Sequence, residues 1–218
     1  MPEVLSFSSV DETHEAVAAY LFEGITAFFE YVPDVHIAMT SGPDAAQASL
    51  SLIKLLTQQA VTGVVHFWWL DEVFVAHDDA ARRDRYIAEL VENFRLGTFI
   101  ECHRAPTPTS DSLTEAQAHW EQSLSGVDFS FAVIDALPDG QLLSPPGVER
   151  AIASSEAALH IVADAANIAI VATGTKQAGV IGTVISGNAA HALGQVAALE
   201  QTSIWLDDAA AGKRATEN

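Results

Sequence analysis

Val64-Val65-His66-Phe67-Trp68-Trp69-Leu70 is apolar at nearly every position. A strand with one face in water alternates apolar and polar residues, whereas a run apolar throughout is covered on both faces, as in the middle of a parallel sheet. Phe129–Asp135 (FSFAVID) reads the same way and is ended by Leu137-Pro138-Asp139-Gly140, a strong turn signal. Working outward, short strands are predicted at Val4–Phe7, Val35–Met39, Leu159–Val162, Ile168–Thr173 and Ser203–Leu206. Val17, Leu21, Ile25 and Phe28 recur at helical spacing and predict a helix over Thr13–Tyr31. Further helices are expected over Ala45–Gln59 (with Asp44 as N-cap), Ala81–Phe94, Ser110–Ser123 and Thr175–Ile185, with a short one closing the chain. Strands alternating with helices predict a single α/β domain over 1–218, with a mixed, mainly parallel sheet and helices on both faces. Ligands of such sheets bind beyond the carboxyl ends of the strands. The loops after Met39, Leu70, Ile134 and Thr173 are therefore where chemistry is expected.

Composition narrows the function classes. The 218 residues are 49% hydrophobic and 18% charged, which suits a large buried core and argues against disorder. No apolar run approaches the ~20 residues of a membrane-spanning helix. Met1-Pro2-Glu3-Val4 lacks the basic and apolar regions of a secretion signal, and the lone Cys102 excludes an intramolecular disulfide. A cytoplasmic location is the expectation. Acids outnumber bases 29 to 10, a net charge of −19, so neither nucleic acid nor an anionic membrane is an expected partner. Any phosphate must be held by a few local bases against an unfavourable overall field.

The expected loops carry four motifs in order. Phe67-Trp68-Trp69-Leu70-Asp71-Glu72-Val73-Phe74-Val75 resembles the "DER-[FY]-V" strand end of the 6-phosphogluconolactonases. Val133-Ile134-Asp135-Ala136-Leu137-Pro138-Asp139-Gly140-Gln141 is similar to their "LLGMGPDGH", and Ser144-Pro145-Pro146-Gly147 to the "SLFPG" that follows. Trp205-Leu206-Asp207-Asp208-Ala209-Ala210 resembles the closing "W-x-x-D-x-A-A". The likeness runs from about Val35 onward and places the chain as a divergent relative within the glucosamine-6-phosphate isomerase/6-phosphogluconolactonase superfamily.

The resemblance implies hydrolysis of 6-phosphogluconolactone to 6-phosphogluconate, a pentose phosphate pathway step, with no metal and no cofactor. In that family a histidine ending "PDGH" activates water, bases bind the phosphate, and glycine-rich turns bring backbone N–H groups to it. Carried onto this chain, the catalytic positions are Gln141 and Asp139. The substrate-binding positions are Ser41, Gly42, Asp71, Glu72, Arg82, Gly140, Arg150 and Lys176, facing a small phosphorylated sugar lactone. Arg82 matches a "D-x-R-N"-like stretch, Lys176 lies near a "G-x-x-K" lysine, and Arg150 follows the Pro-Gly loop.

The departures cluster at the same loops. Gln141 stands where the family has its histidine, and an amide cannot take a proton at neutral pH. Val73 replaces an arginine. Thr40-Ser41-Gly42-Pro43-Asp44 replaces "SGGST", so that Pro43 lacks an N–H and Asp44 repels a phosphate. Asp135 and Leu137 stand where the family has glycines. His77, on the loop after Asp71-Glu72, is the expected substitute base if one exists. His66 reads as a core histidine; His36, His103, His160 and His191 show no metal-ligand spacing; His14 and His119 read as surface positions on helices. Three functions follow: a 6-phosphogluconolactonase with impaired turnover, an inactive homologue that binds a sugar phosphate or a protein, or a sugar-phosphate isomerase or deaminase of the same fold.

Overall fold

The computed structural model describes residues 2–82, 84–108, 112–143 and 155–213. Among the described residues seven strands form one sheet: β1 (Glu3–Phe7), β2 (Asp34–Met39), β3 (Val64–Trp69), β4 (Ile100–His103), β5 (Phe131–Asp135), β6 (Asn167–Ala172) and β7 (Thr202–Asp207). The helices are α1 (Val10–Phe28), α2 (Pro43–Gln58), α3 (Asp84–Asn93), α4 (Leu113–Ser125), α5 (Ser155–Asp164), α6 (Ala178–Ile185) and α7 (Ala192–Ala197). The order across the sheet is β1-β7-β6-β5-β2-β3-β4. Every pairing among the described residues is parallel, so the antiparallel member expected of a mixed sheet is not there.

Alternation along the strands sorts the core into two layers. Val35, Ile37, Met39, Val65, Phe67, Trp69, Phe131 and Val133 pack against α1, α2 and α3. Ala38, Trp68, Ala132, Ile134, Ile168, Ile170, Ile204 and Leu206 face α4, α5, α6 and α7. Strands β3 and β5 are buried on both sides, which is why their sequences carry almost no polar residue.

Several local features differ from the sequence-based expectation. Leu159–Val162 is not a strand but the middle of α5. Ala158, Ile161, Val162 and Ala165 are buried at helical spacing, and that period outweighs the β-branched pair Ile161-Val162. Strand β4 and helix α7 were not anticipated, and residues 208–212 form turns rather than a closing helix. The N-cap of α2 is Gly42, with Pro43 in the first turn where its missing N–H is harmless. Asp44 lies inside the helix and turns its carboxylate elsewhere. Ser9 caps α1 by accepting from the Glu12 N–H, so that helix begins three residues before the predicted Thr13.

Candidate functional site

From β2 the chain proceeds outward to β3 and β4, then returns to place β5 on the other side of β2. The carboxyl ends of β2 and β5 therefore flank the point where strand order reverses, the usual ligand crevice of an open parallel sheet. Helix α2 starts there, and its first N–H groups would suit a phosphate.

Those groups are already bonded. The Asp135 carboxylate, at the end of β5, accepts from the Asp44 N–H at 2.7 Å, the Ala45 N–H at 3.3 Å and the Thr40 hydroxyl at 2.6 Å. The Thr40 hydroxyl in turn accepts from the Asp135 N–H at 2.9 Å. The carboxylate lies so tightly on Gly42 that a Cβ there would fall 2.1 Å from Asp135 Cγ. Gly42 thus admits the chain's own anion. Burial pushes the Asp135 carboxyl up to about 7, against the downward pull of Thr40 and with a further upward push from Asp44.

Other carboxylates tie the neighbouring loops in the same way. Asp71, after β3, accepts from the Ser41 N–H at 2.6 Å. Asp44 accepts from His14 Nε2 at 2.9 Å, from the Thr173 hydroxyl at 2.6 Å and from the Thr173 N–H at 3.0 Å. Asp207, ending β7, accepts from the N–H groups of Gly174 and Ala210 at 3.0 and 2.7 Å. The ends of β2, β3, β5, β6 and β7 are thereby linked by four internal acids. His14, expected on the surface, is buried against Asp44.

The remaining site positions fall into separate places. Arg82 is buried, and its donors reach Asp84 through Nε and Nη2 and the carbonyls of Val75, Ala105 and Pro106. Its guanidinium has no N–H left for a phosphate. Glu72 accepts from the N–H groups of Val73 and Asp84, and burial raises its carboxyl above the ordinary range against those two bonds. Arg104 joins the same knot through Asp84 at 3.1 Å and the His77 carbonyl at 2.8 Å. Burial, followed by Arg104 and Arg82, lowers the His77 imidazole below its usual range.

Asp139 and Gln141 are exposed on a turn in which the Asp139 side chain accepts from the Gln141 N–H at 3.1 Å. Gly140 has φ 75°, and a Cβ on it would lie 2.8 Å from His191 Cβ. His191, at the N-cap of α7, therefore packs on Gly140, the residue before Gln141. Lys176 is exposed on the turn between β6 and α6 and makes no ion pair among the described residues. Arg150 and the Ser144-Pro145-Pro146-Gly147 motif lie outside the described residues.

The overall fold is shared with solved structures. The 6-phosphogluconolactonase of Trypanosoma brucei superposes with a TM-score of 0.76 at 16% identity, covering 97% of this chain and 98% of that one. The fold is that of the 6-phosphogluconolactonases. The Shewanella baltica 6-phosphogluconolactonase gives a TM-score of 0.72 at 16% identity, over 95% of this chain and 98% of its own. A monomeric glucosamine-6-phosphate deaminase has the same fold, with a TM-score of 0.73, 16% identity and 97% and 100% coverage. No family model and no curated protein matches the sequence. No described helix is long and apolar enough to cross a membrane.

Proposed function

We propose that this chain keeps the sugar-phosphate lactonase scaffold but no longer hydrolyses 6-phosphogluconolactone, and acts as a non-catalytic binding or interaction homologue. One observation carries the reading: the Asp135 carboxylate occupies the α2 N–H groups that a substrate phosphate or oxyanion would need. A second anion at that place finds those donors already taken. Gln141 adds the loss of a proton acceptor, and Arg82 is committed to Asp84 and three carbonyls.

The test is hydrolysis of freshly generated 6-phosphogluconolactone by wild type, Gln141→His and the double variant Asp135→Gly/Gln141→His. Wild type and Gln141→His are expected to match the spontaneous rate, because restoring the base leaves the crevice filled. A wild-type rate clearly above background overturns this reading.

A second reading, a lactonase with a relocated base, is supported by His191 packing on Gly140 and by a fold shared with 6-phosphogluconolactonases. On that reading the wild-type rate is above background and falls at least a hundredfold in His191→Ala, the usual worth of a general base.

A further inference from the structure

On the α4–α7 side of the sheet, toward the β4 edge, histidines from three strands come together. Parallel register sets His36 beside His66, His66 beside Glu101, and Trp68 beside His103. Alternation turns all five side chains to one side. The His36 and His66 rings stack at 4.4 Å, and Trp68 lies on His103 at 3.7 Å with the planes 7° apart. Trp68 Nε1 also donates to His36 Nδ1 at 3.1 Å. Both ends of the stack are thus fixed, and the imidazoles are held in plane.

Inside the stack, His66 Nδ1 and His103 Nε2 face each other at 2.9 Å. The Glu101 carboxylate reaches both, with Oε2 at 3.4 Å from His66 Nδ1 and Oε1 at 3.8 Å from His103 Nε2. A tetrahedral Zn2+ with bonds of about 2.0–2.1 Å holds its ligand atoms roughly 3.3 Å apart, so these three need only small movements to bind one. Behind His66, its Nε2 faces Asp34 Oδ1 at 3.4 Å. A carboxylate on the far nitrogen is the usual device for orienting a ligating imidazole. The His66 and His103 side chains are 12% and 23% exposed and that of Glu101 58%, which leaves the fourth direction open to solvent.

We propose that His66, Glu101 and His103 form a site for one divalent transition cation of the Zn2+ class. Asp34 orients His66, and water or a small ligand fills the fourth position. Two imidazoles with one carboxylate favour Zn2+, Co2+ or Ni2+ over Mg2+ and Ca2+, which prefer oxygen donors throughout. The overall charge of −19 draws cations toward the surface. The site lies on a face of the sheet at β3 and β4, apart from the β2–β5 crevice, so it stands whether or not the crevice is catalytic.

The experiment is calorimetric titration of untagged, metal-stripped protein with Zn2+ alone, backed by equilibrium dialysis. One equivalent per chain is expected. Glu101→Gln and His103→Gln should each weaken binding at least tenfold, and Asp34→Asn should weaken it to a lesser degree. His119→Gln, on the exposed surface of α4, should leave it unchanged, and excess Mg2+ should not compete. Thermal unfolding in chelator shows that each variant is folded; should His103→Gln fail there, the exposed Glu101→Gln decides alone. Substoichiometric uptake overturns the proposal. So does uptake that Glu101→Gln leaves unchanged, since zinc would then be held diffusely by surface acids.

Discussion

Asp135 satisfies the first donors of α2, as a bound anion at a helix N-terminus would. The difference is that it cannot leave. Its carboxyl, raised from 3.8 in a free chain to about 7 in the fold, holds its proton more tightly when folded. Such a group supports stability fully below about pH 4 and loses that contribution as pH climbs through 7. The melting temperature of wild type relative to Asp135→Asn is therefore expected to fall between about pH 4 and pH 7, as scanning calorimetry would read. A difference that stays constant over that range contradicts the assignment. Arg82 gives a second prediction at this scale. Replacing it by Ala leaves Asp84 buried with Arg104 as its one ion-pair partner among the described residues. A loss toward the lower end of the ~3–5 kcal/mol typical of a broken buried pair should appear in urea unfolding. Lys176→Ala, at an exposed site, should stay within about 0.5 kcal/mol of wild type. Sequence motifs placed Arg82 and Lys176 together as phosphate contacts; only the fold shows that one is locked and the other free. Asp44 and Asp135 were legible as intruders because they stand where glycines and small polar residues were expected. Their partners were not, since Thr173 and His14 reach Asp44 from 129 and 30 residues away.

Elements were readable in proportion to their length and burial. VVHFWWL and FAVID announce β3 and β5 because both faces are covered. Strand β4, four residues at the sheet edge, carries too short a pattern to register, and α7, six residues, has barely a turn and a half. Helix α5 was misread because Ile161-Val162 looks β-like until Ala158 and Ala165 are counted with it. Helix α4, expected from Ser110, begins at Leu113 with Ser112 as its cap. The Ser112 hydroxyl accepts from the Glu115 N–H, and the Glu115 carboxylate accepts from the Ser112 N–H at 2.9 Å. Ser112→Ala is expected to cost about 1 kcal/mol, measured by urea unfolding. An unchanged midpoint would mean that packing of Trp120 and Leu124, rather than the cap, holds the first turn. The histidine cluster belongs to this scale too. No spacing rule finds it, because each strand supplies only part of it and register alone joins them.

Across the whole molecule the excess of 29 acids over 10 bases should be felt as self-repulsion. Raising monovalent salt from about 20 to about 300 mM shortens the screening length to below 10 Å. The melting temperature is expected to rise by a few degrees; a fall would mean that attractive pairs such as Arg85–Glu89 outweigh the repulsion. The sheet order carries a consequence of another kind. Strand β1 bonds to β7 and to no other described strand, from Glu3 opposite Ser203 to Phe7 opposite Asp207. While the polypeptide is being translated, β2, β3 and β4 can zip together as each emerges, and β5 and β6 can join them. Strand β1, made before all of these, must wait unmated until β7 is made. A nascent chain stalled before Thr202 therefore presents a loose β-strand beside a half-built edge, a natural target for chaperones and for pairing with the wrong neighbour.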